Sequence, residues 1–381
     1  MSPRRSSSPS PSPSEARVAV VQAAPRPFDR EAAIARVAGL TAEAGAKGAK
    51  LILFPEAYVP AYPWGLMFGT RIGGRTETGR RMFEAYWEAA VELPGTAGTA
   101  AGAGGRAGAG EPSSRTRDSG AFNALSAAAR DAEAYLAVGV VERDVEFSGG
   151  TLYCTLAYFG PDGAFLGKHR KLKPTAAERV VWGEGDGSTL PVIETPFGRV
   201  GGLICWENYM PLARMAMYGK GVQFWLAPTA DARDTWQATL RHIACEGRCF
   251  VLGCNQYVRR DDYAADLPGR EELEDAPDVL CRGGSAIIGP LGDVLAGPLH
   301  GEEGILYADL ELGALPRAKF DFDVTGHYAR ADVFRLSVNE ARALPVSSPR
   351  ALGRGAQPDR DADADPGAPA QAMARAKGTT T

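Results

Sequence analysis

Histidine and cysteine are scarce in this sequence, and their positions form no metal-binding pattern. The 381 residues include four His and six Cys, with no Cys-x-x-Cys pair. The cysteines are Cys154, Cys205, Cys245, Cys249, Cys254 and Cys281. This spacing excludes a zinc site of the ordinary kind, so we predict no metal site. Scattered thiols usually stay reduced, which favours a cytoplasmic protein.

Long apolar runs and a strong net charge are also missing. No run of about 18 apolar residues occurs, which excludes a transmembrane helix. No apolar stretch follows Arg4 and Arg5, so we expect no secretory signal. The formal net charge is -4, with 45% hydrophobic and 23% charged residues. This balance is typical of a globular protein, and we expect neither a membrane nor a nucleic acid as partner.

Three segments of biased composition flank or interrupt the part of the chain that can fold. Residues 1–14 are mainly Ser, Pro and Arg, residues from about 95 to 119 are rich in Gly and Ala, and residues 345–381 are rich in Pro, Ala, Asp and Arg. None of them can bury much apolar area, so we predict two disordered tails and a flexible insertion. Residues 15–344 are predicted to form one α/β domain, because apolar strands alternate with helices and two hairpins interrupt the pattern.

The stretch of residues 201–211 carries the first chemical signal. Apolar residues up to Ile204 indicate the end of a buried strand, and helical spacing resumes after Pro211, with Asn208 as the expected N-cap. Cys205 would then lie on a sharp strand-to-helix turn, which exposes a nucleophile and aims backbone N–H groups at the atom it attacks. A lone cysteine is more often a buried core residue, so this interpretation depends on other residues.

Two further residues could complete a catalytic set with Cys205. Glu56 follows an apolar strand and a proline, and the carboxyl ends of strands are where α/β enzymes tend to place chemistry. Lys171 lies in the basic run 167–175, which alone would be read as a solvated loop. If the three side chains converge, the carboxylate can take the thiol proton, and the ammonium can stabilise the thiolate and the next anion. Such a set suits attack on an sp or sp² carbon bonded to nitrogen, followed by hydrolysis.

Three motifs, in this order, resemble those of the nitrilase superfamily of carbon-nitrogen hydrolases. They are Phe54-Pro55-Glu56, His169-Arg170-Lys171 and Cys205-Trp206-Glu207-Asn208. Flanking segments at 174–179, 182–187, 227–231 and 326–334 resemble the nitrilase branch of that superfamily. The resemblance extends over about residues 17–340, and the ordered set is far more specific than any one motif.

The resemblance implies a fold and a reaction. The fold would be a four-layer αββα sandwich without metal or organic cofactor. It would pair into larger αββα–αββα assemblies, with residues 211–219 and 227–246 as the pairing surface of a dimer-based or spiral homo-oligomer. Cys205 would attack a nitrile carbon, Glu56 would act as base, Lys171 would stabilise the tetrahedral intermediate, and Glu178 would position groups and water. A thioimidate and then a thioester would precede the release of ammonia and a carboxylic acid.

Aromatic residues surround the expected pocket. They are Tyr58, Tyr62, Trp64, Trp182 and Trp206, and the backbone N–H of Trp206 would face the developing anion. These rings would suit aryl or arylalkyl nitriles, although they are equally consistent with packing.

Three alternatives stay open at this point. A cyanide hydratase or dihydratase shares most of these motifs, and an amidase of the same superfamily fits the Cys205 and Lys171 segments less well. A non-catalytic oligomeric scaffold would have no need for Glu56, Lys171 and Cys205 together.

Overall fold

The computed structural model describes residues 14–95 and 120–345. The predicted tails and the predicted insertion lie almost entirely outside these ranges. Within them, no helix is long and apolar enough to cross a lipid bilayer.

The described residues form fourteen strands and six α-helices. The strands are β1 (Glu15–Gln22), β2 (Leu51–Leu53), β3 (Val91–Glu92), β4 (Tyr135–Arg143), β5 (Leu152–Phe159), β6 (Phe165–Arg170), β7 (Ile193–Thr195), β8 (Gly198–Gly202), β9 (Phe224–Pro228), β10 (Phe250–Cys254), β11 (Tyr257–Arg259), β12 (Val279–Ile288), β13 (Val294–His300) and β14 (Gly304–Glu311). The helices are α1 (Arg30–Ala46), α2 (Glu77–Glu88), α3 (Gly120–Asp131), α4 (Pro211–Gly219), α5 (Asp234–Gly247) and α6 (Ala314–Ala318).

The strands form two sheets of seven with closely similar organisation. The first has the order β14-β1-β2-β4-β5-β6 with β3 beside β4, and the second has the order β11-β12-β10-β9-β8-β7 with β13 beside β12. In the first sheet β1, β2 and β4 are parallel, and in the second β8, β9 and β10 are parallel. Antiparallel strands flank both parallel centres. The two sheets of the described chain are therefore built on the same plan.

Strand β1 shows how the first sheet is buried on both faces. Val18 and Val20 belong to the core between the two sheets, whereas Ala19 and Val21 pack in a second core with residues of α1 and α3. Successive side chains of a strand point to opposite faces, so an unbroken apolar strand needs a covering layer on each side. Helices α1 and α3 are that outer layer.

Strand β9 repeats the arrangement in the second sheet. Phe224 and Leu226 join the core between the sheets, and Trp225 and Ala227 pack in a third core with α4 and α5. The layers thus follow the order helix, sheet, sheet, helix. The predicted four-layer αββα sandwich is confirmed.

Helix α4 does not have the predicted N-cap. Met210 occupies the cap position without a side-chain cap bond. Asn208 instead lies in a 3-10 turn that begins at Cys205. Its side-chain amide donates to the carbonyl oxygens of Leu203 and Cys205 and accepts from Trp225. The prediction was wrong because the buried amide of Asn208 is satisfied inside the turn and by the second sheet.

Candidate active site

Segments that follow strands of both sheets meet in the interior. Glu56 comes shortly after β2 and Lys171 directly after β6, so both extend from the first sheet, while Cys205 follows β8 in the second. The exposed fractions of these residues are 1%, 0% and 4% respectively. The structure therefore brings the three predicted residues together between the sheets, away from bulk water.

The segment that carries Glu56 passes close to β4. A Cβ added to Gly139 would lie 2.0 Å from the carbonyl oxygen of Pro55 and 2.9 Å from Cα of Glu56. Only glycine permits this approach. Gly139 thus determines how deeply the Glu56 backbone sits against the first sheet.

Lys171 bonds two carboxylates at once. Its Nζ lies 2.5 Å from Oε1 of Glu56 and 2.7 Å from Oε2 of Glu178. Glu178 also accepts from the hydroxyl of Tyr62 at 2.9 Å and from the backbone N–H of Thr175 at 2.6 Å. An ammonium has three protons, so Lys171 keeps one donor for a bound substrate or intermediate.

Burial controls the protonation of Glu56. Desolvation raises the pKa of its carboxyl to about 7, against the opposing effect of the Lys171 ammonium. The thiol of Cys154 donates to Oε1 at 3.5 Å, and the side-chain amide of Gln256 holds the Glu56 carbonyl at 2.7 Å. The other carboxylate oxygen, Oε2, is buried without a hydrogen-bond partner among the described residues. Glu56 therefore has one free oxygen and a pKa suited to proton exchange near neutrality.

Cys205 has a backbone conformation that few residues adopt. Its φ is +50°, in the left-handed region, and it starts a 3-10 turn directly after the second sheet. The hydroxyl of Thr229 donates to Sγ at 3.1 Å. Burial, reinforced by the negative charge of Glu56, raises the pKa of the Cys205 thiol. The thiol is thus neutral at rest, and a base must remove its proton as it attacks.

The backbone N–H of Trp206 is available to a ligand. It is the second N–H of the 3-10 turn that begins at Cys205, and the first N–H groups of a helix have no acceptor within the helix. The indole Nε1 of Trp206 donates to Asp231 at 2.9 Å, and its ring lies beneath the guanidinium of Arg233. The two roles expected for Trp206, backbone donor and pocket-lining ring, both stay predictions.

Three of the predicted aromatic residues form one cluster. The ring of Tyr62 lies 5.1 Å from that of Trp64 and 5.6 Å from that of Trp182, and Trp182 also lies 5.8 Å from Nζ of Lys171. The indole nitrogens of Trp64 and Trp182 are buried without a partner among the described residues. These rings can wall a pocket beside Lys171 and offer it two N–H donors.

Tyr58 does not belong to that wall. It is fully buried in the core between the first sheet and its helices. Its hydroxyl donates to the carbonyl of Ala24, and its ring packs 5.3 Å from Phe54. Residues 56–58 form a turn, and Val59 is then bridged to Val140. Tyr58 leaves this turn on the outer face of the first sheet. The expectation that it lines the pocket was wrong.

Sequence reasoning did not assign a role to two residues that touch the central groups. Thr229 contacts Sγ of Cys205, and Cys154 contacts Glu56. Cys154 lies on β5, and Thr229 directly follows β9. A buried Thr or Cys at such a position has no distinguishing pattern. No group of three His, Cys, Asp or Glu side chains in residues 14–95 and 120–345 could hold a metal ion.

The chain matches a family model over residues 17–320, described as carbon-nitrogen hydrolase. It belongs to the carbon-nitrogen hydrolase family. Within that family it falls in the nitrilase branch, as the motifs predicted, because relatives at 45% to 52% identity over most of the chain are named as nitrilases. An aliphatic nitrilase of Sinorhizobium fredii is 52% identical over 85% of this chain and 96% of its own length. A bifunctional nitrilase/nitrile hydratase of Lupinus angustifolius is 47% identical over 87% of this chain and 88% of its own length.

Solved structures share the fold at much lower identity. A member of branch 10 of the nitrilase superfamily from Saccharomyces cerevisiae is 21% identical, with a TM-score of 0.58 over 83% of this chain and 97% of its own. An amidase from a Nesterenkonia species is 20% identical, with a TM-score of 0.54 over 81% and 95%. At this identity the likeness concerns the fold alone.

Proposed function

We propose that this chain hydrolyses an organic nitrile to a carboxylic acid and ammonia, R–C≡N + 2 H₂O → R–COOH + NH₃. The observation that carries the proposal is the buried contact of the Lys171 ammonium with Glu56, next to the Cys205 thiol. This arrangement supplies a base, a cation and a nucleophile at one point. Relatives named as nitrilases, at 45% to 52% identity, support nitriles as the substrate class.

In the first half of the reaction, Glu56 takes the Cys205 proton as Sγ attacks the nitrile carbon. The proton then passes to the nitrile nitrogen, giving a neutral thioimidate. Lys171 and the backbone N–H of Trp206 stabilise the negative charge that develops at the substrate nitrogen. Removal of one such donor typically costs about 3–4 kcal/mol of transition-state stabilisation.

In the second half, Glu56 activates water twice. The first water adds to the thioimidate carbon, and the resulting tetrahedral centre loses ammonia to leave a thioester. The second water adds to the thioester carbon, the acid departs, and the thiol of Cys205 regains its proton from Glu56. Glu178, held by Tyr62 and Lys171, positions the ammonium for both additions.

Amide release is a second candidate outcome at the same site. If the first tetrahedral centre expels the thiolate instead of ammonia, the product is R–CO–NH₂ and no thioester forms. The relatives of Lupinus angustifolius and Nicotiana tabacum carry names that combine nitrilase and nitrile hydratase. The ratio of acid to amide is therefore part of the test.

The experiment measures ammonia, acid and amide from benzonitrile, phenylacetonitrile, mandelonitrile, an aliphatic dinitrile and cyanide. We expect acid and ammonia from at least one organic nitrile, and no product from the Cys205→Ala variant. Turnover of cyanide alone would replace the proposal by a cyanide hydratase or dihydratase. If folded protein turned over none of these compounds, the same assay would be applied to amides. If amides were not hydrolysed either, the non-catalytic oligomeric scaffold would be the remaining hypothesis.

We further propose that the chain assembles into a homo-oligomer of dimers. The start of α4 exposes apolar side chains, with exposed fractions of 41% for Tyr209, 38% for Met210 and 69% for Leu212. A grouped apolar surface of this kind supports self-association. Sedimentation of the wild type and of Leu212→Glu tests this, since the charge would reduce the assembly to a smaller species.

We also propose a reducing compartment such as the cytoplasm. All six cysteines are free thiols in the structure, and five of them are buried. Free thiols persist where disulfides are kept reduced. Fractionation of the source cells, followed by detection of the chain with an antibody, tests the location.

A further inference from the structure

Glu207 is a fully buried carboxylate that the proposed chemistry does not use. It lies two residues after Cys205 and is 1% exposed. Its Oε1 accepts from the backbone N–H of Leu172 at 2.6 Å. Its Oε2 accepts from the backbone N–H of Ile204 at 2.7 Å and from Nε2 of His169 at 2.8 Å. None of its hydrogen bonds reaches a side chain of the proposed catalytic set.

The two backbone partners of Glu207 lie next to the reacting residues. Leu172 directly follows Lys171, and Ile204 directly precedes Cys205. Lys171 extends from the first sheet and Cys205 from the second. One carboxylate therefore joins the two sheets at the point where their functional side chains meet. Hydrogen bonds to an ionised acceptor are short and strong, so this link resists a change in spacing.

His169 reinforces the link from β6. Its Nδ1 lies 2.5 Å from the carbonyl oxygen of Thr189 and its Nε2 lies 2.8 Å from Glu207. Both partners are acceptors, and a neutral imidazole has only one N–H to donate. Only the imidazolium satisfies both contacts, and its charge compensates the buried carboxylate. Strand pairing with Leu156 of β5 fixes the backbone of His169.

We propose that Glu207 is a positioning residue that sets the distance between the Lys171 ammonium and Sγ of Cys205. This inference rests on the proposed function, because the distance matters only if both groups act on one substrate atom. Displacement of a catalytic group by about 1 Å can cost about 100-fold in rate. Loss of the link should therefore lower kcat, while KM stays nearly constant because the aromatic wall at Tyr62 and Trp182 is untouched.

The test compares Glu207→Gln with a matched control, Glu142→Gln. Glu142 is also 1% exposed and paired with cations, Lys168 and Arg170, but it accepts only from side chains. Both variants lose a buried charge, so both should lose thermal stability. We expect kcat to fall by about 100-fold in Glu207→Gln and by far less in Glu142→Gln, with KM little changed in either. Equal losses of kcat in the two variants, or an unchanged kcat in Glu207→Gln, would overturn the proposal.

Glu207→Asp keeps the test decisive if the Gln variant does not fold. The shorter side chain retains the charge that pairs with His169 but cannot reach both backbone N–H groups. We expect a loss of kcat of at least about 10-fold at nearly constant KM. Wild-type kcat in this variant would contradict the positioning role.

Alkylation of Cys205 by iodoacetamide separates this inference from the proposed function. The rate is read by mass spectrometry for the wild type, Glu207→Asp and Glu142→Gln. Thiolate formation needs Glu56 and Lys171 in place, so Glu207→Asp should be alkylated more slowly than the other two. If the wild type hydrolyses no nitrile but shows this order of rates, the substrate assignment fails and the positioning role stands. Equal rates would remove the positioning role even if nitriles are hydrolysed.

Discussion

The ammonium of Lys171 lies 2.5 Å from a carboxylate oxygen of Glu56, and neither side chain is exposed. A second carboxylate, that of Glu178, binds the same ammonium. The buried cluster of Glu56, Glu178 and Lys171 thus contains two carboxyl groups and one cation. This balance disfavours a further negative charge on the Cys205 thiol. A neutral thiol that loses its proton only during attack agrees with its raised pKa.

The rate of nitrile hydrolysis should rise with pH through the neutral range. Glu56 must be ionised to accept the thiol proton, and burial raises its pKa to about 7. Below that value the carboxyl is protonated, so kcat/KM should fall about tenfold per pH unit. The measurement is kcat/KM between about pH 5 and about pH 9. A profile that is flat down to about pH 5 would show that the base has an ordinary carboxyl pKa.

The two thiols nearest Glu56 should differ sharply in importance. Cys205→Ala removes the nucleophile, and we expect activity to drop by more than about 1,000-fold. Cys154→Ala removes only a weak donor to Glu56, at 3.5 Å, and should retain activity within about tenfold. Product assays on both variants, with circular dichroism to confirm folding, check this. Comparable losses would point to a packing role for Cys205.

Tyr62→Phe should slow the reaction without dismantling the pocket wall. The hydroxyl donates to Glu178 at 2.9 Å, and its loss removes about 1–2 kcal/mol of orientation, or about 5-fold to 30-fold in kcat. Tyr86→Phe is the matched control, because that buried hydroxyl donates to a backbone carbonyl, Ala61, at 2.9 Å. It should lower the melting temperature with little effect on kcat. If Tyr62→Phe and Tyr86→Phe had equal kcat, the Tyr62 hydroxyl would have no role in the reaction.

His169 should make stability depend on pH. Its pKa is raised: burial lowers it, but the charge of Glu207, its hydrogen bond and the Thr189 carbonyl outweigh that effect, with Lys220 opposing them. A raised pKa means that the stabilisation is complete below the unfolded value of about 6.5 and is lost as pH rises through the folded value. The free energy of unfolding should therefore differ most between the wild type and His169→Gln near about pH 6 and least at high pH. If the difference in the free energy of unfolding grew with pH instead, His169 would not be an imidazolium in the folded protein.

Gly139→Ala should damage both folding and activity. The added Cβ would lie 2.0 Å from the Pro55 carbonyl oxygen, so the Glu56 backbone must move. Overpacking of this kind costs about 1–3 kcal/mol, and we expect kcat to fall with the melting temperature. Gly39→Ala on α1 is the control, since nothing lies within 4 Å of its Cβ. That helical substitution should stabilise the protein by about 0.5–1 kcal/mol.

The positions of Glu56 and Cys205 at strand ends could be predicted because each follows an apolar run that only a buried strand explains. Lys171 follows the mixed segment Phe165–Arg170, so its place in the site depended on the family resemblance. The sheet-helix layering followed from the same runs, as β1 and β9 show. The partners across the two sheets could not be predicted. Whether the carboxylate of Glu207 reaches Leu172 or solvent depends on how the sheets face each other, and no local spacing contains that information.

The two incorrect predictions have related causes. Asn208 has the right residue type for an N-cap, but its amide meets Trp225 of the second sheet instead. Tyr58 lies in an aromatic-rich loop, but its side chain packs in the core between the first sheet and its helices. In both cases a tertiary contact outweighs a local preference that is small by comparison.

The left-handed φ of Cys205 sets the stability of the fold against the reactivity of the site at a single residue. A side chain in that region costs about 1–2 kcal/mol relative to glycine, and the buried thiol contributes packing that glycine would lack. Cys205→Gly would therefore relieve the backbone while it removes those contacts together with the nucleophile. A screen for heat resistance alone would not reveal that the reacting group has been lost.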